Sequence, residues 1–300
     1  MSKLFLETSN EKISIYMSAP EGKSDKYMKY SLLNIKIPYT DGGTYQNQNL
    51  WRLYELYVYE KNGEDVLSQF LPYPIVNHGE WECALRIDGT PDFHGGFHGY
   101  EHLTNITAEL DGKPFDVNSE KALWADSFMF CQESNIYRQG TENELMATHI
   151  KKYVFENGLL KLHQQIEWAQ SVKVMYAYMA MLPIKRTSDD TPSGDIITEY
   201  AKTNLSSEVF DVKKEGHQTP VTLGGENFRN VSCAEIWSDK SGIKAQMKTG
   251  GLIQPDNSFN ISPADCYNKF YYSYTGDGKG HITEIGEKWL FDSEYKIYCM

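Results

Sequence analysis

The chain has 300 residues, 40% hydrophobic and 23% charged, enough length to bury an extended core and too apolar a composition for a disordered chain. Against 41 Asp and Glu stand 29 Lys and Arg, a formal charge of −12, and no Lys/Arg-rich run exists to neutralise phosphates, which argues against nucleic acid as a partner. No apolar run reaches about 18 residues, so a membrane-spanning helix is not expected. The start, Met1 to Glu7, lacks a signal peptide's apolar stretch, and the five scattered cysteines (Cys83, Cys131, Cys233, Cys266, Cys299) form no C-x-x-C pair. The expectation is one unit over 1–300, with reduced thiols and a cytoplasmic location.

In chain order, β-branched and aromatic runs bounded by Gly, Asn, Asp and Pro predict strands over 30–39, 50–59, 66–76, 81–87, 127–137, 147–155, 159–168, 172–182, 234–237, 269–274 and 294–298. Polar loops are predicted at 41–49 and 186–195. No stretch of a dozen positions keeps a 3.6-residue apolar period, so long helices are not expected. The fold class is therefore all-β: large antiparallel sheets packed as a β-sandwich or supersandwich, with a jelly roll as the alternative.

The densest run of reactive side chains is Asp92-Phe93-His94-Gly95-Gly96-Phe97-His98-Gly99-Tyr100-Glu101-His102. Its glycines predict a tight loop, and histidine can take or give a proton near neutral pH. His94, His98, Glu101 and His102 are competent metal ligands, but their spacing suits a helix that the glycines disfavour. Neither a metal nor a cofactor is expected.

Further along, Asn157-Gly158 sits between two alternating runs, the signature of a two-residue hairpin turn. That turn sets Phe155 opposite Leu160, Tyr153 opposite Leu162, Lys151 opposite Gln164 and His149 opposite Ile166, all on one face. The face begins apolar and turns into Tyr, Lys, His and Gln. It predicts either a sheet whose end lines a groove or a sheet edge reaching solvent, since dry burial of Lys and Gln is costly. In 172–182, Val174, Tyr176 and Tyr178 alternate with Met175, Ala177, Met179 and Met181, which predicts a strand covered on both faces and closed by Pro183.

The run His94-Gly95-Gly96, then Gly99-Tyr100, resembles the H-G-G-x-x-G-[F/Y] motif of the aldose 1-epimerase (galactose mutarotase) family. The resemblance implies a β-supersandwich of about this length with a sugar site on its concave sheet, His94 contacting the sugar. That family's acid is a second histidine in an H-P-Y-F-like tract. The nearest comparable strand end here, Ala177-Tyr178-Met179-Ala180-Met181-Leu182-Pro183-Ile184, has none. Its base is a glutamate near the C-terminus, and the surroundings of Glu284 and Glu287 do not match.

Elimination across a uronic acid suits the inventory better, by analogy of fold class. Lys151 or Gln164, with Arg86 or Arg138, would neutralise the sugar carboxylate. His149, His94 or His98 would be the base, and Tyr153 or Tyr100 the acid, its pKa lowered by a neighbouring lysine. Glu101 is a further polar contact for substrate. Glycoside hydrolysis would instead use a pair from Asp88, Asp92, Glu101 and Glu167. A polysaccharide lyase is thus the leading reading and a sugar epimerase the second. A glycan-binding or phage-type structural sandwich with no reaction is the third. The expected partner is an oligo- or polysaccharide.

Overall fold

The computed structural model describes residues 3–20, 25–40, 45–62, 66–77, 79, 81–188, 194–205, 207–213, 231–251, 258–263, 267–275 and 279–299. Strands come first as β1 (Leu4–Ser9), β2 (Lys12–Ser18), β3 (Lys26–Ile37), β4 (Gln48–Asn62), β5 (Val66–Gln69), β6 (Ala84–Ile87), β7 (Phe93–His94) and β8 (Glu101–Leu110). There follow β9 (Lys113–Pro114), β10 (Lys121–Ala125), β11 (Ser127–Tyr137), β12 (Leu145–Glu156), β13 (Leu159–Trp168) and β14 (Lys173–Lys185). The remainder are β15 (Tyr200–Thr203), β16 (Phe210–Asp211), β17 (Cys233–Trp237), β18 (Ile243–Gly251), β19 (Ser258–Pro263), β20 (Tyr267–Thr275), β21 (His281–Ile282) and β22 (Lys288–Cys299). No α-helix occurs among the described residues, and none of them forms a helix long and apolar enough to cross a membrane.

The protein is all-β, and its described residues form two sheets. The larger runs β10-β1-β2-β3-β4-β8-β11-β12-β13-β22-β18-β17-β15-β16, with β5 added on β4 and β9 on β8. The smaller runs β19-β20-β14-β6-β7, with β21 added on β14. Apolar side chains alternate inward from both, among them Ile15, Tyr30, Phe155, Leu162 and Ile166 from the large sheet and Leu85, Val174, Leu182 and Phe270 from the small one, all fully buried. Polar bonds also join the layers: the Gln164 amide nitrogen donates to Met179 O, and Tyr295 Oη donates to Trp81 O at 3.3 Å.

The β12–β13 hairpin has the register that its turn dictates. Asn157 and Gly158 both take positive φ (50° and 73°), and the pairs Phe155–Leu160, Tyr153–Leu162, Lys151–Gln164 and His149–Ile166 all form. β11 and β13 match their predicted limits. Elsewhere the chain departs from expectation. The 66–76 strand stops at Gln69, and 81–87 begins only at Ala84. β14 passes through Pro183 to Lys185, because Pro183 pairs with Lys269 on β20 without needing an N–H there. In its first half Tyr176 and Tyr178 are only half-buried, so one face of that half is a surface, not core. β1, β2, β8 and β18 were not predicted; their alternation is diluted by Lys, Ser, Thr, Glu and Gln. Of the two loops, 41–44 and 189–193 lie outside the described residues, β4 already begins at Gln48, and Arg186 is buried, donating to Tyr267 O at 2.8 Å.

One irregularity positions the interior site. β4 meets β8 in a short parallel pairing, Gln48 with Glu101 and Asn49 with His102, and then parts from it. The backbone beyond would be stranded in a dry interior. Side chains take over instead. Trp51 N–H donates to Gln132 Oε1 at 3.1 Å, Gln132 Nε2 donates to Trp51 O at 2.7 Å, and Leu53 N–H donates to Glu82 Oε1 at 3.0 Å.

Candidate functional site

The histidine–glycine run is the tight loop its glycines require. Gly95, Gly96 and Gly99 have φ of 86°, 51° and 90°, and a Cβ on Gly99 would overlap Gln46 O. The loop meets the β12–β13 hairpin through Glu101. One Glu101 oxygen accepts from Gly96 N–H at 2.6 Å. The other takes Ser134 Oγ at 2.5 Å, Lys151 Nζ at 3.0 Å and His149 Nδ1 at 3.1 Å. His149 Nε2 faces Gln164 Oε1 at 3.2 Å; the Gln164 amide nitrogen is held on Met179 O, which turns its oxygen toward the imidazole. Both ring nitrogens thus face side-chain oxygens. Tyr153 donates to Glu82 Oε1 at 2.8 Å, completing a cluster of two carboxylates, one ammonium, one imidazole and one phenol.

This cluster is sealed. Glu101, His149, Lys151 and Tyr153 are 0% exposed, Glu82 is 1% and Gln164 is 3%. The hairpin's polar end therefore lines neither a groove nor an open sheet edge, because the small sheet lies across it and opposite charges offset the cost of burial. Burial pushes the Glu101 carboxyl up, but Lys151 and His149 outweigh it and hold it well below its ordinary value. Burial lowers the Lys151 ammonium while Glu101 and Glu82 more than restore it. The expectation that a lysine lowers Tyr153 is overturned: burial and then Glu82 push the phenol well above its ordinary value.

His94 is also fully buried. Its Nδ1 bonds Leu85 O at 3.2 Å and its Nε2 accepts Gln139 N–H at 3.0 Å, so the ring pins the loop and presents no free nitrogen to a sugar. Burial moves its pKa down to about 4. Tyr100 is 1% exposed; its N–H donates to Gln46 O at 2.9 Å and its hydroxyl accepts from Gln46 at 3.2 Å. Arg138 is held by Glu144 at 2.7 Å and by Gln170 at 3.3 Å. His102 packs edge-on against Tyr137. Among the described residues no group of three or more His, Cys, Asp or Glu is gathered to hold a metal.

Of the predicted set, Arg86 and Arg138 keep partly exposed side chains (33% and 29%), and Arg86 together with the buried His98 joins rings that the sequence reading placed in the core or passed over. Across the outer face of the small sheet, Phe93 lies opposite Arg86 and Arg86 opposite Tyr176. The ring centroids form a chain: Tyr45 to Phe97 at 5.2 Å, Phe97 to His98 at 5.6 Å, His98 to Phe93 at 5.2 Å, Phe93 to Tyr178 at 5.3 Å and Tyr178 to Tyr271 at 4.4 Å. Phe93, Phe97, Tyr178 and Tyr271 are half-buried and Tyr45 is exposed. The Arg86 guanidinium stands 5.8 Å over Phe93, Lys269 Nζ 5.9 Å over Tyr178 and the Arg52 guanidinium 5.4 Å over Phe97. Burial, then Lys269, moves the His98 pKa down to about 3, so its ring is neutral near pH 7. The alternation Tyr176-Ala177-Tyr178 and the pair Tyr271-Tyr272 were the available signals for this row.

No family model matches the sequence, and no curated protein matches it. Among solved structures, the chain is similar to the α-galactosidase from Lactobacillus brevis (TM-score 0.45, 6% identity, 98% of this chain) and to a β-arabinopyranosidase (0.43, 8%, 93%). It spans 39% of the length of each of those two chains. It is also similar to an Escherichia coli K12 protein provisionally named an aldose 1-epimerase, at TM-score 0.38 and 10% identity over 99% of both chains.

Proposed function

We propose that this protein binds a glycan on the aromatic row across the outer face of the small sheet. The neighbouring, half-buried rings of Phe93, Tyr178 and Tyr271, with Arg86, Lys269 and His98 beside them, carry this reading. Sugar rings offer C–H faces to stack on such rings and hydroxyls to bond at the edge, and half-buried tyrosines beside arginine dominate binding energy at protein surfaces. Calorimetry against a panel of oligosaccharides tests it. Tyr178→Ala is expected to weaken binding about tenfold or more, the scale of a central aromatic contact. Unchanged affinity in a folded variant overturns the assignment.

A second reading, elimination within a uronic-acid glycan, is favoured by the convergence of His149, Lys151, Tyr153 and Gln164 near Glu101. It requires the small sheet, which lies across the cluster, to move off it. Ultraviolet absorbance of the protein with uronate polysaccharides tests it, since elimination creates a conjugated double bond: a signal lost in His149→Ala supports a lyase, and a flat trace removes it. An epimerase would instead change the optical rotation of free sugars.

A further inference from the structure

Arginine carries five N–H donors in one plane, and a guanidinium taken out of water is ordinarily met by acceptors. Arg52 departs from this. It is 4% exposed, yet among the described residues no hydrogen bond or ion pair reaches it. Its Nε is sealed from solvent, whereas the two Nη atoms keep a narrow access. The sheet sets the side chain there. β4 pairs with β8 only at Gln48 and Asn49, and its register against β3 slips between Ser31 and Leu32, which leaves Tyr54 without an opposite residue. Such a bulge re-aims side chains and is common beside binding sites. The guanidinium lies 5.8 Å from the Tyr54 ring centre and 5.4 Å from that of Phe97. Gly79 closes a third side, since a Cβ on it would come within 3.0 Å of Phe97 and 3.7 Å of Tyr54. Gln48 Nε2 donates to Phe97 O at 3.0 Å and fixes the turn that carries this ring.

We infer that Arg52 is the anion-binding group of a second site, which takes a single carboxylate at the gap between Phe97 and Tyr54. This site stands apart from the rings that carry the glycan reading, and neither depends on the other. The protein's own carboxylates act on Arg52 without taking its donors. Burial lowers its pKa, while Glu82, Tyr54 and Glu101 oppose that. Glu82 Oε1 is engaged by Leu53 N–H and Tyr153, and its Oε2 forms no ion pair with the guanidinium. Glu101 is engaged by Gly96 N–H, Ser134, Lys151 and His149. A ligand in the gap therefore meets an N–H fork between two rings, which matches a planar carboxylate. Glu82 and Glu101 repel a second negative charge, which disfavours phosphate.

The test is calorimetry and thermal unfolding of the full chain with sodium acetate, sodium glucuronate and phosphate, at an ionic strength fixed with chloride. Saturable one-to-one binding of both carboxylates and a raised unfolding midpoint are expected. Arg52→Lys keeps a cation beside Glu82 and Glu101 but removes the fork, and should weaken both carboxylates about tenfold or more. Phe97→Ala takes away one wall and should weaken both severalfold. Glucuronate binding tighter than acetate supports a sugar acid as the source, and equal affinity supports any small carboxylate. Phosphate binding tighter than either overturns the carboxylate assignment. A midpoint that chloride raises equally, no saturable binding, or affinity unchanged in either folded variant overturns the site itself.

Discussion

The sealed cluster around Glu101 and the open row around Tyr178 are built from the same kinds of side chain and do opposite things. In the first, His149, Lys151 and Tyr153 each have a partner, and their water is gone. In the second, rings and cations share one solvent-facing surface. Reactive residue types in proximity are therefore no sign of a site by themselves. What distinguishes a site is a face left for the ligand, and in the Glu101 cluster the small sheet covers the side chains, with Gln164 on Met179 O and Tyr153 on Glu82 joining the layers.

The sharpest way to break this contrast is Lys151→Met, which leaves Glu101 and Glu82 buried without the Lys151 ammonium, the Arg52 guanidinium still acting on both. A loss of about 3–5 kcal/mol is expected in urea unfolding, with partial recovery on adding Glu101→Gln. A neutral result would show that the cluster is not an interdependent support. Next comes Gln132→Ala, which strands Trp51 N–H and C=O where β4 leaves β8. About 1–3 kcal/mol should be lost for each unsatisfied group, read from the same unfolding curves.

Acid should also separate the regions. In the folded protein His94 has a pKa of about 4 and His98 about 3, against an ordinary 6.5. Below 6.5 the unfolded chain binds protons that the folded one refuses, so stability falls as pH drops from about 6.5 toward those values. Glu101, held below its ordinary range, gives up its contribution only as pH falls below that range. Unfolding midpoints at stepped pH should show this limb, flattened in His98→Gln. Tyr178→Ala loses ring pairs with Phe93, Tyr176 and Tyr271, each worth about 0.5–1.5 kcal/mol, and its effect on glycan affinity should be large.

Local chemistry made part of this molecule legible. Asn157-Gly158 fixed the hairpin register, because two positive-φ residues accept one turn type and period-two alternation does the rest. Three glycines announced the loop at 95–99. Glu82 had no such signal: it matters because β4 parts from β8 and leaves Leu53 N–H to it, and because it accepts the Tyr153 hydroxyl, both set by strands far apart in sequence. The row from Tyr45 to Tyr271 was equally hidden, since its rings come from the 45–48 segment, the loop after β7, β14 and β20.

By itself, the sequence determined an all-β chain, one hairpin with every pair in place and a glycine loop beside it, because turn φ angles and side-chain alternation are local properties. Whether His149 and Lys151 would face a ligand or an opposing sheet was decided only when the small sheet packed over them. The exposure of Tyr178 was settled by the same event. Burial belongs to the packing of distant segments, and no run of neighbours along the chain encodes it.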